Sequence, residues 1–231
     1  MDYILSIGPY ILKGAILSVK VYAVTMVFAI PIGVLCAIGK IVVSKRHPNW
    51  FVRILKTIVA AILELYTWIF RGTPLLLQLF FVYYGLPFLN LPFGMTMEFD
   101  STTAAYIAFA LNYGAYFTEI FRAGIQAIDK GQYEAAKTLG MSYPKTMWSI
   151  VLPQAVKVIL PPFGNEAVTL IKDTALCSAI ALPEILRHAK SVSSRDFAVE
   201  AYIVAAVIYL VMTLVIIQVF KYLEKRFAYY D

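Results

Sequence analysis

Glu166, Thr169 and Asp173 recur at i, i+3 and i+7 in an apolar run, with Asn165 beside Glu166, so on a helix they share one face. Asn112, Tyr116 and Glu119 share a face in the same way in an earlier run, which also carries Arg122. Arg71 stands before Gly72-Thr73-Pro74 in the middle of a third, and Lys172 precedes Asp173 near the end of the first. The chemistry available to such groups is non-covalent. A carboxylate accepts from a cation, a guanidinium donates to an anion, and amides and hydroxyls do both. Groups for covalent work do not assemble. The two histidines, His47 and His188, fall in different loops, which leaves no metal cluster and no base for a serine triad. Cys36 and Cys177 are far apart with no CxxC, and no G-x-x-x-x-G-K-[ST] cradle for nucleotide phosphates occurs. No catalytic residue, metal ligand or bound cofactor is expected.

The elements that carry these residues follow from composition. The 231 residues are 61% hydrophobic and 15% charged, with mean hydropathy +0.74. Soluble domains run at roughly 45–50% apolar and about 25% charged, so an all-α integral membrane protein is expected. A spanning helix needs about 20 mostly apolar residues. Five stretches qualify: about Ala15–Val43, Thr57–Tyr84 interrupted at Arg71–Pro74, Thr102–Ile125, Leu152–Leu176 broken by Pro161-Pro162 and Gly164, and Ala201–Phe220. Lys45, Arg46, Arg53 and Lys56 mark the first loop as cytoplasmic, while Glu98 and Asp100 in the second carry no base beside them. The N-terminus is then outside and the C-terminus inside, with Lys221, Lys225 and Arg226 in agreement. Arg187, Lys190 and Arg195 in the outer segment 173–200 go against the trend. The basic residues sit beside spans, which speaks against nucleic acid. Met1-Asp2-Tyr3 has no basic n-region, so the first run is not read as a cleavable signal. No repeat is visible, and residues 1–231 are read as one transmembrane domain. Ionisable groups within a bilayer are costly and rare, so each is a candidate for function. Asn112 lies roughly 15 Å into its run and Glu166 roughly 13 Å beyond Lys157, so both fall near the midplane.

The cytoplasmic loop at about 126–153 carries the most specific pattern. Asp129 to Leu139 is rich in helix formers, and Gly140 stands where a left-handed cap belongs. Ser142 is placed to cap a second short helix, with Pro144 in its first turn. Glu134-Ala135-Ala136, Gly140, Ile150, Leu152 and Pro153 match, at every fixed spacing, the E-A-A, three residues, G, nine residues, I-x-L-P signature of ABC importer permeases. Phe70-Arg71-Gly72-Thr73-Pro74-Leu75 resembles the R-G-T-P-L element of the polar amino acid group, the histidine, glutamine, arginine and cystine importers. Glu119-x-x-Arg122-x-Gly124-Ile125, Pro162-x-x-Asn165-Glu166 and Leu170–Thr174 are similar to further segments of that group. Ala123, where a second glycine is frequent, and Ser18, where threonine is, depart from it.

The resemblance implies a type I ABC importer-like subunit in a bacterial or archaeal inner membrane, crossing it several times among the lipids. Its partners would be two copies of an ATPase that holds ATP and Mg, a second identical or homologous permease, and an extracytoplasmic amino-acid-binding protein. The loop 134–153 would be the coupling helix docking into the ATPase. For the amino acid, Glu166 can accept the ammonium, with Asn112, Asn165 and Thr169 as polar contacts. The two asparagines serve equally as interhelical hydrogen-bond glue. Glu119 and Arg122 read as a structural pair or snorkelling, Lys172 and Asp173 as a gate or helix-end bridge. Arg71 needs a carboxylate or freed carbonyls as partner, or else recognises an anionic group. An ion-coupled secondary transporter or channel is the alternative, with Glu166, Lys172 and Asp173 as relay.

Overall fold

The structure, a computed structural model, describes residues 2–43, 48–89 and 97–227, and every regular element among them is helical. Lys45, Arg46 and His47 lie outside the described residues. The order is α1 (Asp2–Val43), α2 (Trp50–Gly72), α3 (Leu75–Phe80), α4 (Ser101–Gln126), α5 (Lys130–Thr138), α6 (Tyr143–Thr146), α7 (Leu152–Asp173), α8 (Ile185–Asp196) and α9 (Glu200–Phe227). On length and composition, α1 and α9 are each long and apolar enough to cross a membrane.

Two features differ from expectation. Helix α1 starts at Asp2 rather than near Ala15 and runs through Pro9 and Pro31 for 42 residues. At 1.5 Å per residue it is about 63 Å long, twice the hydrocarbon core. The segment Tyr3 to Leu12 is apolar, and Ile7 and Ile11 are buried against Ile185, Ala189 and Ala201. That packing carries the helix past its first proline. Helix α7 is likewise continuous through Pro161, Pro162 and Gly164, where a break was expected. Two missing donors weaken the ladder, but a train of rings clamps this stretch. Phe163 lies 4.8 Å from Phe117, 5.7 Å from Phe121 and 5.6 Å from Phe220 between ring centroids. Gly164 is required there, since a Cβ would meet the Phe220 ring at 2.9 Å. The chain does break after α2, as expected: Thr73 is extended (φ −117°, ψ 149°) because the following proline excludes the helical region.

The centre of the molecule is α4, whose small residues Ala104, Ala105 and Ala108 and rings Phe109 and Phe117 are fully buried. Asp100 starts it, accepting from the backbone of Thr102 and Thr103; bonds from the Thr103 hydroxyl and backbone hold its carboxyl below the usual range. Helix α1 crosses α4 closely, because a Cβ on Gly33 would fall 2.6 Å from that of Phe117. A second cluster joins the N-terminal third of α1 to α8 and α9. Its pin is Glu184, fully buried, whose carboxylate accepts from the backbone N–H groups of Leu186 and Arg187 and from the Tyr209 hydroxyl at 2.9 Å.

Candidate functional site

The break between α2 and α3 releases carbonyls that no helix satisfies, and side-chain amides take them up. Gln78 Nε2 donates to the carbonyls of Phe70 (2.9 Å) and Thr73 (3.1 Å). Asn112 Nδ2 donates to Phe70 O (2.9 Å) and to Gln78 Oε1 (3.0 Å). Asn112 is buried, so its amide group fixes the joint between α4 and the break. Gln78 was not singled out from the sequence; an amide four residues after a proline in an apolar run is the signal that was there.

Against this joint lies a cavity of about 280 Å³ whose wall includes Thr73, Asn112, Tyr116, Glu166, Thr169 and Asp173. Asp173 accepts from the Tyr113 hydroxyl at 2.7 Å, which leaves most of its lone pairs free. A cavity of about 460 Å³ shares Tyr116 and Glu166 and adds Arg71 and Glu119. A third, about 350 Å³, shares Arg71 and Glu119 and adds Glu64 and Thr67. Because each hands residues on to the next, the three adjoin as one track along α2, α4 and α7, in which Arg71, Glu119 and Glu166 stand among apolar residues such as Ile120, Val158 and Pro162. The Arg71 guanidinium stacks over the Tyr116 ring, 5.6 Å from its centroid, and the freed carbonyls nearby are held by the amides instead. Glu166, Thr169, Asn112 and Asp173 are thus brought together. Asn165 is exposed outside the cavity wall and takes part through its carbonyl, which accepts from Thr169 Oγ1 at 3.0 Å. Lys172 is exposed and also outside that wall.

Glu119 and Arg122 pair at 2.6 Å and 3.0 Å, within a larger network. The ammonium of buried Lys40 lies 2.7 Å from Glu119 Oε1, 2.9 Å from Glu64 Oε2 and 2.7 Å from Thr67 Oγ1. It ties α1, α2 and α4 together. Lys40 and Glu64 were both visible as charges in or beside apolar runs, but neither was singled out.

The loop after α4 folds as a helical hairpin. Asp129 caps α5 by accepting from Gly131 N. Gly140 has φ +71°, with bonds from Gly140 N to Lys137 O and from Met141 N to Ala136 O, both 3.0 Å. This is the Schellman pattern that a glycine makes possible. Ala136 is buried, while Glu134 and Ala135 are exposed together with Leu139 and Trp148. Ser142 occupies the cap position of α6, but its side chain makes no capping bond: Pro144 at the second position has no N–H to donate, and that of Lys145 at the third is not engaged by it. The helical backbone then continues through a π turn, Met147–Val151, straight into α7. Ile150, Leu152 and Pro153 sit at this passage. The hairpin and the wall holding Glu166 and Thr169 are therefore parts of one continuous helical run, 143–173.

Comparison with known proteins follows the same lines. Residues 29–229 match the family described as binding-protein-dependent transport system inner membrane component. The arginine transport system permease protein ArtQ of Bacillus subtilis (strain 168) is 37% identical over 94% of this chain and 92% of its own length. The L-cystine transport system permease protein TcyB of the same organism is 34% identical over 97% and 89%. Among solved structures, an amino acid ABC transporter crystallised with histidines superimposes with TM-score 0.79 and 34% identity over 94% of both chains. An inward-facing methionine ABC transporter shares the fold, with TM-score 0.66 and 16% identity over 98% and 97%.

Proposed function

We propose, for a chain that belongs to the binding-protein-dependent transport system inner membrane component family, that it is the permease subunit of an ATP-driven importer for polar amino acids. Five spans, carried by α1, α2 with α3, α4, α7 and α9, run from an extracytoplasmic N-terminus to a cytoplasmic C-terminus. The partners are a second permease, two ATPase subunits and an extracytoplasmic binding protein. ATP and Mg are held by the ATPase, and this chain contributes no hydrolytic group.

The substrate site in this reading is the cavity at the helix break. Glu166 receives the ammonium, Thr169 and Asn112 contribute polar contacts, and Arg71 lies within the same track for the carboxylate. Asn112 works from behind as well, holding the broken backbone open at the depth where broken helices line transporter sites. Exposed Glu134, Ala135, Leu139 and Trp148 supply the surface that meets the ATPase. One observation carries the proposal: hairpin and cavity wall lie on the single run 143–173. When ATPase closure draws the hairpins of two protomers together, α7 moves with them and opens or closes the track. The π turn at 147–151 is a natural hinge for that motion. An ion-coupled carrier working without an ATPase would leave the hairpin and its exposed face without a role.

The test is uptake in proteoliposomes holding the whole importer with Glu166→Gln in every copy of this chain. Loss of uptake is expected at least about tenfold, as for removal of one partner from a desolvated charge pair, while the ATPase still co-purifies. Wild-type uptake of every amino acid tested would remove Glu166 from the site.

A further inference from the structure

Glu119 differs from an ordinary structural ion pair in that it borders open space on two sides. It lines both the cavity of about 460 Å³ that it shares with Glu166 and the cavity of about 350 Å³ that it shares with Glu64. Glu166 stands at the neighbouring junction, between that larger cavity and the one of about 280 Å³ at the helix break. A ligand that leaves Glu166 along this track therefore meets Glu119 next. In the orientation proposed above, the order runs toward the cytoplasm. Glu119 lies seven residues after Asn112 on α4, and Glu64 seven residues before Arg71 on α2, each about 10 Å further in.

The two carboxylates differ in what already holds them. Among the described residues no salt bridge engages Glu166 or Arg71. Glu119 is answered twice: Lys40 Nζ donates to Oε1 at 2.7 Å, and Arg122 donates to Oε2 from Nε at 3.0 Å and from Nη2 at 2.6 Å. A carboxylate has about four acceptor sites. These bonds leave one of them open, on Oε1, with little net charge to hold a further cation. Glu166 is thus built to bind a cation firmly, and Glu119 to bind one weakly. Arg71 lines both of the cavities that Glu119 borders. A ligand carboxylate held by Arg71 can therefore stay in place while the ammonium changes partner.

We propose that Glu119 is a second station for the ammonium of the transported amino acid, on the cytoplasmic side of Glu166, which Arg122 and Lys40 keep weak so that the substrate leaves. Passage requires sites that bind well enough to admit and weakly enough to release. The inference rests on the importer reading. The test uses proteoliposomes of the whole importer that enclose ATP, with binding protein and labelled L-arginine or L-glutamine outside. The same amino acid, unlabelled, is loaded inside at rising concentration, and the initial rate of uptake is read. Arg122→Gln frees Glu119 to hold the internal amino acid. The internal concentration that halves uptake is expected to fall about tenfold, the worth of one charge-assisted hydrogen bond. Arg122→Lys, which keeps the charge but not the paired bonds, should lie between that variant and wild type, and it guards against misfolding of Arg122→Gln. Adding Glu119→Gln to Arg122→Gln should raise the concentration again, to the wild-type value or above. A purely structural network would lower uptake in these variants without moving it. An unchanged half-inhibitory concentration in both Arg122 variants overturns the second station and leaves the importer standing. A wild type that takes up neither amino acid with ATP and binding protein overturns the importer and the station together.

Discussion

Lys40 is the residue on which three helices depend. Its ammonium is buried and answers Glu64, Glu119 and Thr67 at once, and Glu119 in turn holds Arg122. Removing Lys40 leaves Glu119 with Arg122 alone and Glu64 to solvent, at a cost of about 1–3 kcal/mol. Lys40→Met is therefore expected to lower the unfolding temperature of the detergent-solubilised complex markedly. Combined with Glu119→Gln, the loss should be smaller than the two single losses added, because the two side chains share the interaction. Strict additivity would show that they do not. This network was only half legible in the sequence. Glu119 and Arg122 are three apart on one helix, and that spacing announces a pair. Lys40, Glu64 and Glu119 sit on three different helices, and only the crossing of α1 over α4 and α2 brings them together.

At the scale of elements, local rules and packing divide the molecule between them. The stop after α2 follows from Gly72-Thr73-Pro74, and the end of α5 from Gly140, because each is a backbone restriction that neighbouring residues impose. Pro161-Pro162 is an equally strong breaker signal, yet α7 runs through it, held by Phe117, Phe121 and Phe220 from two other helices. The face that joins Asn112 to Glu166 was legible as two separate helical stripes; their meeting at one cavity was not. Gly140 offers a test at this scale. It has φ +71° and open space around it, so a side chain there strains the backbone of the cap but meets no other atom of this chain. Gly140→Asp is expected to abolish uptake while capture of substrate by the binding protein stays intact, because a charged side chain would stand on the face offered to the ATPase. Wild-type uptake by that variant would remove this loop from the coupling step.

For the whole molecule, the proposed importer gives the track and the hairpin each a neighbour. The track lies open along α2, α4 and α7, and a second permease would close it. The hairpin exposes Leu139 and Trp148, 78% and 75% accessible, where an ATPase would cover them. Helix α8 is braced against α1 and α9 and leaves Arg187 and Lys190 exposed. The most direct measurement is purification of this chain from membranes, identification of what it retains, and assay of ATP hydrolysis with and without polar amino acids and their binding protein. A retained ATPase whose turnover rises with binding protein and one amino acid is the expected result. A chain that purifies without an ATPase and drives uptake from an ion gradient alone would contradict it.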